Sequence, residues 1–169
     1  MPMLKNVTGL DLGSDSLKSV EFKQALRGLE PVQMRIHPRA AAEIDLGEQV
    51  QHFLNQYEVS TEYVTSAIPG QLLSNKILNF PFRDRKKLNQ AVPFQIEGDI
   101  PFEMEDIVIE WQMIGGDRNR ALISASVAQR VHVSKLLDDL TRAGSPPRVI
   151  ESAGMVLANL TGLFELEGS

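Results

Sequence analysis

Four residues near the N-terminus have the types and spacing to hold a phosphorylated ligand: Asp11, Gly13, Ser14 and Lys18. They lie in the run Val7-Thr8-Gly9-Leu10-Asp11-Leu12-Gly13-Ser14-Asp15-Ser16-Leu17-Lys18. Gly13 lets the backbone come close to a ligand, and consecutive N–H groups at such a turn form an anion-binding concavity. Lys18 adds positive charge, and Asp11 could hold a hydrated divalent cation beside the phosphate oxygens. The same Asp-x-Gly-Ser is also ordinary hairpin-turn chemistry. It is neither Walker A nor the dinucleotide fingerprint, since no Gly-Lys-Ser/Thr is present and no helix follows.

Two alternating runs must position these residues. Val7 to Asp11 leads into the turn and Ser16 to Lys23 leads out of it, with Leu17, Val20 and Phe22 as apolar positions, which predicts a β-hairpin. A turn at Leu26 to Glu30 and a third strand from Pro31 to His37 follow. Val32, Met34 and Ile36 share one face of that strand, and Pro38 ends it. Ala40 to Tyr57 is expected to be a helix with Leu46, Val50, Phe53, Leu54 and Tyr57 on its stripe. A buried strand, Tyr63 to Ile68, stops at Pro69-Gly70.

From Gln71 the pattern changes. An extended run to Phe82 precedes a helix, Arg83 to Gly98, N-capped by Asp84, with Leu88, Ala91, Val92 and Ile96 inward. Pro93 is expected to kink or split it. Asp106 to Ile114 and Arg120 to Ala128 flank Gly115-Gly116-Asp117 as a second hairpin. A helix over 130–143 (Val133, Leu136, Leu137 and Leu140 inward), a strand from Arg148 to Glu151 and a helix from Ala153 to Phe164 complete the chain.

At 169 residues without a cysteine, the chain can bury a core but has no disulfide or thiol chemistry. A net charge of −5 argues against a nucleic-acid binder working by general electrostatics. The basic run Arg83, Arg85, Lys86 and Lys87 lacks interleaved aromatics and reads as a solvated helix face. No run approaches the ~18 apolar residues of a membrane span and no secretory leader is evident, so a cytoplasmic location is expected. His37, His52 and His132 are isolated, and the acid pairs Glu103/Glu105 and Asp138/Asp139 read as exposed charges. Three Pro-Phe pairs, at 81–82, 93–94 and 101–102, suit helix-on-sheet packing or a partner groove.

Taken together, these stretches resemble a known family. Gly9-Leu10-Asp11-Leu12-Gly13-Ser14 with Lys18 looks like the first phosphate motif of the actin-like ATPase superfamily. Ala67-Ile68-Pro69-Gly70, Leu78-Asn79-Phe80-Pro81-Phe82, Val92-Pro93-Phe94-Gln95-Ile96-Glu97 and Ile100-Pro101-Phe102 look like the cytoplasmic domains of GspL and PilM. These are assembly proteins of type II secretion and type IV pili. Pro147-Arg148-Val149-Ile150 before an Ala-rich helix also fits, and the wording of the Pro-Phe block leans modestly to GspL.

The resemblance implies an α/β fold with a mixed sheet: an actin-like (ribonuclease H-like) first lobe, residues 1–70 with 129–169, and a smaller α+β insertion, 71–128. It implies Asp11, Gly13, Ser14 and Lys18 as a half-site for ATP and magnesium, with Asp11 on the metal side. The second lobe would carry the facing half, so tight cofactor binding and hydrolysis are not expected of this stretch. Implied partners are a GspE-like secretion ATPase with GspM- and GspF-like platform proteins, or the N-terminal tail of PilN if the chain is PilM-like. Nucleic acid is not implied, and contact with the bacterial inner membrane would be indirect or through a further segment. A kinase of the same superfamily would need a catalytic acid in its substrate cleft and a second lobe, and neither is identifiable.

Overall fold

A computed structural model describes residues 6–25, 28–39, 44–154 and 156. The chain divides into two compact units, Met1–Pro69 with Ser134–Ser169, and Gly70–Val133. The first is built on a five-stranded sheet. Strands β1 (Asn6–Leu12), β2 (Ser16–Ala25) and β3 (Gly28–Pro38) form an antiparallel meander, while β4 (Val64–Ile68) runs parallel to β1 and β8 (Pro147–Ser152) parallel to β4. The order across the sheet is β3-β2-β1-β4-β8.

Alternation puts Thr8, Leu10, Leu12, Leu17, Ser19, Glu21, Val64, Ser66 and Ile68 on one buried face. Val50, Phe53 and Leu54 of helix α1 (Leu46–Gln56) are buried too, as are Leu136 and Leu140 of α3 (Arg130–Arg142). Of the polar residues on the buried face, Thr8, Glu21 and Ser66 have hydrogen-bond partners, whereas Ser19 Oγ has none among the described residues. Glu21 accepts from the Gln33 side chain and from the Ser60 N–H (3.1 Å), Thr8 Oγ1 donates to the Ser60 carbonyl (2.7 Å), and Ser66 Oγ donates to Leu10 O (2.9 Å).

Several expectations change here. Helix α1 begins at Leu46, because the Asp45 carboxylate accepts the Glu48 N–H (3.3 Å) and so caps it; Ile44 and Asp45 are not helical. The expected helical positions 40–43 lie outside the described residues. Strand β3 begins at Gly28, whose φ of +133° suits glycine, and so takes in residues 28–30, which were expected in the turn; residues 26 and 27 lie outside the described residues. Val32, Met34 and Ile36 are exposed (59, 66 and 60 %), because β3 is an edge strand and the buried face is the opposite one.

Asp139, expected on an exposed helix face, is buried, with a side chain only 2 % exposed. Lys135 Nζ donates to it at 2.8 Å and Arg142 at 2.5 Å, and Arg142 also reaches Asp45. Leu137 points outward (43 % exposed), since Leu136 and Leu140 already fill the inward arc of α3. Helix α3 ends before Gly144, whose φ is +77°. Of the expected helix 153–164, only Ala153, Gly154 and Val156 are described, and they are helical.

The second unit is a three-stranded antiparallel sheet in the order β5-β7-β6, with β5 Leu73–Phe80, β6 Ile107–Gly116 and β7 Ala121–Gln129. A 3-10 turn, Gly70–Leu72, precedes β5, where an extended run was expected. Leu88, Val92 and Ile96 of α2 (Arg85–Glu97) pack on Leu78, Phe80, Ile107, Ile123 and Val127. Pro93 does not split α2. It is half-buried, and Asn89, whose carbonyl loses an i+4 donor to it, is exposed to water that can take that carbonyl.

Candidate functional site

The β1–β2 register sets Asp11 directly opposite Lys18, and the chain between them turns through Gly13, Ser14 and Asp15. Lys18 Nζ donates to Asp11 Oδ2 at 2.6 Å. Both side chains are open to solvent, Lys18 by 44 % and Asp11 by 62 %. An exposed pair of this kind is worth at most about 1 kcal/mol, so an arriving anion can take Lys18 at little cost.

Gly13 is there for space. A Cβ built on it would stand 2.9 Å from Ser16 O and 3.6 Å from Lys18 Nζ. The structure therefore brings Asp11, Gly13 and Lys18 together, with Ser14 exposed beside them in the turn.

Two neighbours escaped the sequence reading. Arg39, just past β3, donates its backbone N–H to Asp15 O (2.9 Å) and a guanidinium N–H to Gly13 O (3.1 Å). The signal was available: in a three-strand meander the end of the third strand lies beside the turn joining the first two. The other is Glu151 on β8. With Gly9, Asp11, Lys18, Val20 and Thr65 it lines a concavity of about 250 Å³ on the sheet face opposite the buried one. Strand parity puts Asp11, Lys18 and Val20 on the face away from Leu10, Leu17 and Ser19.

The remaining candidates go elsewhere. His37 Nδ1 lies 3.1 Å from the Tyr57 hydroxyl, and the His52 ring lies 6.4 Å from that of His37. Among the described residues no group of three or more His, Asp or Glu could hold a metal ion. Of the basic run, Arg83 donates to Asp117 O (2.7 Å), and Arg85 lies over the Trp111 ring (5.7 Å from its centroid). The three Pro-Phe pairs do not share one role: Phe82 packs against the core of the second unit, while Phe94 is 78 % exposed and Phe102 41 %. Among the described residues no helix is long and apolar enough to cross a membrane.

No protein-family model matches the sequence, and no curated protein matches it. Solved structures do. The PilM–PilN type IV pilus biogenesis complex matches with a TM-score of 0.82 and 19 % identity, over 96 % of this chain and 52 % of that one. The cytoplasmic domain of EpsL, an inner-membrane component of the type II secretion system of Vibrio cholerae, matches at 0.59 and 15 %, over 86 % and 57 %. The chain thus spans about half the length of the structures it matches. Its mixed α/β fold, with an antiparallel meander extended by two parallel strands, is the mixed-sheet α/β class that the resemblance implied, and it is shared with the PilM–PilN structure and the cytoplasmic domain of EpsL.

Proposed function

We propose that the chain is the actin-like docking part of a scaffold at the cytoplasmic face of a bacterial inner membrane, serving a type IV pilus or type II secretion assembly. The observation that carries this is the likeness to the PilM–PilN structure over 96 % of the chain. That likeness favours a PilM-type protein that binds the N-terminal tail of a PilN-like partner. A GspL-type protein, joining a GspE-like ATPase to GspM- and GspF-like components, is the second reading. It is supported by the likeness to the cytoplasmic domain of EpsL and by the Val92-Pro93-Phe94-Gln95-Ile96-Glu97 block.

Immobilised chain challenged with a PilN-type N-terminal peptide and, separately, with a GspE-type N-terminal domain tests both. Saturable capture of the peptide alone supports the pilus reading, and capture of the ATPase domain alone supports the secretion reading. Failure of both, with folded protein, defeats the scaffold proposal.

The turn fits half of a magnesium–nucleotide site. Asp11 offers one open carboxylate, and magnesium commonly keeps several waters and takes only one or two carboxylates alongside phosphate oxygens. Gly13 permits close backbone approach, and Lys18 is cheaply released. In this reading Asp11 would face the hydrated metal, and Lys18 with the Gly13 and Ser14 backbone would face the phosphates. A half-site without the preorganised donors of a second lobe binds weakly. Phosphate release from ATP by this chain is therefore expected to equal that of its Asp11→Asn variant, both at the uncatalysed background. A specific rate lost in Asp11→Asn would overturn that expectation.

A further inference from the structure

We infer that Arg39 is the positioning residue of the 13–15 turn, holding the Gly13–Ser14 peptide so that its N–H faces an incoming polyphosphate. The inference rests on the phosphate reading of the turn. Its geometric ground is separate: a guanidinium N–H of Arg39 lies 3.1 Å from Gly13 O, and its backbone N–H lies 2.9 Å from Asp15 O. A trans peptide is planar, with its C=O and the following N–H antiparallel. Drawing the Gly13 and Asp15 carbonyls to the Arg39 side therefore sends the Ser14 and Ser16 N–H groups to the other side. Two nearby backbone N–H groups directed one way, here on alternate residues, offer an anion paired donors.

The two contacts differ in what they demand of residue 39. Any residue but proline supplies the backbone N–H to Asp15, whereas only a long donor side chain supplies the bond to Gly13. Gly13 has no side chain to restrain its own peptide, and a Cβ there would stand 2.9 Å from Ser16 O. The conformational freedom that glycine brings is thus removed from outside, by a side chain 26 residues further along the chain. Arg39 Nε is buried and has no hydrogen-bond partner among the described residues. Asp11 and Lys18 would supply charge to the site, and Arg39 would supply the direction of its backbone dipoles.

The test follows the Ser14 and Ser16 amide resonances of the ¹⁵N-labelled chain during titration with sodium tripolyphosphate, at low and high NaCl. In the unsubstituted chain both amides are expected to shift saturably. Arg39→Met, which keeps the stem and removes the donors, should weaken the apparent Kd by about tenfold, the equivalent of one oriented hydrogen bond. Arg39→Lys should weaken it nearly as much, since an ammonium on a flexible stem does not reproduce a fixed planar fork. The ratio of variant to unsubstituted Kd should persist at high salt, because orientation is not screened as charge is. Core amide shifts in each variant report that the fold is intact.

Binding by Arg39→Lys at full strength, or a ratio that collapses to one at high salt, would overturn the positioning role and leave the phosphate site standing. Absence of any Ser14 or Ser16 shift in the unsubstituted chain would remove the phosphate reading and this inference with it. The partner-capture experiment would be untouched.

Discussion

Phe53→Ala is expected to destabilise the first unit by about 3–5 kcal/mol, seen as a lower urea midpoint at unchanged slope. Phe53 is only 1 % exposed and is among the largest fully buried side chains. Its ring centroid lies 5.3 Å from that of Tyr57 and 6.2 Å from that of His37, so it joins α1 to the end of β3. Truncation loses the transfer energy of the ring and leaves a cavity that neighbours on a sheet and a helix cannot close by small shifts. The aromatic pairings add about 0.5–1.5 kcal/mol each to what area alone would predict. Tyr57→Phe is the control, since it keeps the ring and removes only the hydroxyl 3.1 Å from His37 Nδ1. Its cost should stay near 1 kcal/mol. A Phe53→Ala loss below about 1.5 kcal/mol would mean that α1 does not seal this face of the sheet.

Phe53 was visible in the sequence because a helix buries one stripe, and Val50, Phe53 and Leu54 fall on it. The turn at Gly13 was visible for a comparable reason: strand periodicity on both sides of an Asp-x-Gly-Ser leaves few ways for the chain to go. Periodicity does not say which face of a strand is covered. Val32, Met34 and Ile36 alternate as cleanly as any buried strand, yet they lie on an edge and face outward. Nor does it separate a solvated charge from a buried one.

Asp139 sits among polar residues of α3, and its burial depends on α1, some 90 positions earlier in the sequence: a Cβ on Gly47 of α1 would come within 3.2 Å of Asp139 O. Arg39 was missed through the same kind of non-local contact. Its partners, Gly13 and Asp15, are brought to it by strand pairing and not by any spacing along the chain. Capping side chains set the starts of both α1 and α2; the sequence reading named Asp84 for α2 but ran the first helix past the Asp45 cap.

The buried carboxylate supplies the second large effect. Asp139→Ala is expected to cost about 2–3 kcal/mol at neutral pH, by loss of two charge-assisted hydrogen bonds. Removing one member of a fully buried ion pair commonly costs about 3–5 kcal/mol, because the other charge is stranded. Here the partners are not stranded: the Lys135 and Arg142 side chains are 65 and 56 % exposed and can return to water. The cost is therefore placed below that range, and Asp139→Asn, which keeps one acceptor, should lose about half as much.

Arg142 also bridges from Asp139 to Asp45, the cap of α1, with 3.1 Å to Asp45 Oδ1. Hydrogen bonding from the Arg142 guanidinium holds the Asp45 carboxyl below its ordinary value of 3.8, and the Glu48 N–H acts in the same direction. A carboxyl depressed in the folded state contributes stability that is present above pH 3.8 and is lost as the pH falls through the folded value. Asp45→Asn should therefore lower stability at neutral pH, and the gap to the unsubstituted chain should close below about pH 4. Arg142 stays charged throughout, since both carboxylates raise its already high value. Urea midpoints at pH 7 and pH 3 for Asp139→Ala and Asp45→Asn decide the matter. Should Asp139→Ala prove neutral at pH 7, the carboxylate's desolvation would have cancelled its bonds, and the polar tie between α1 and α3 would rest on the Arg142–Asp45 pair.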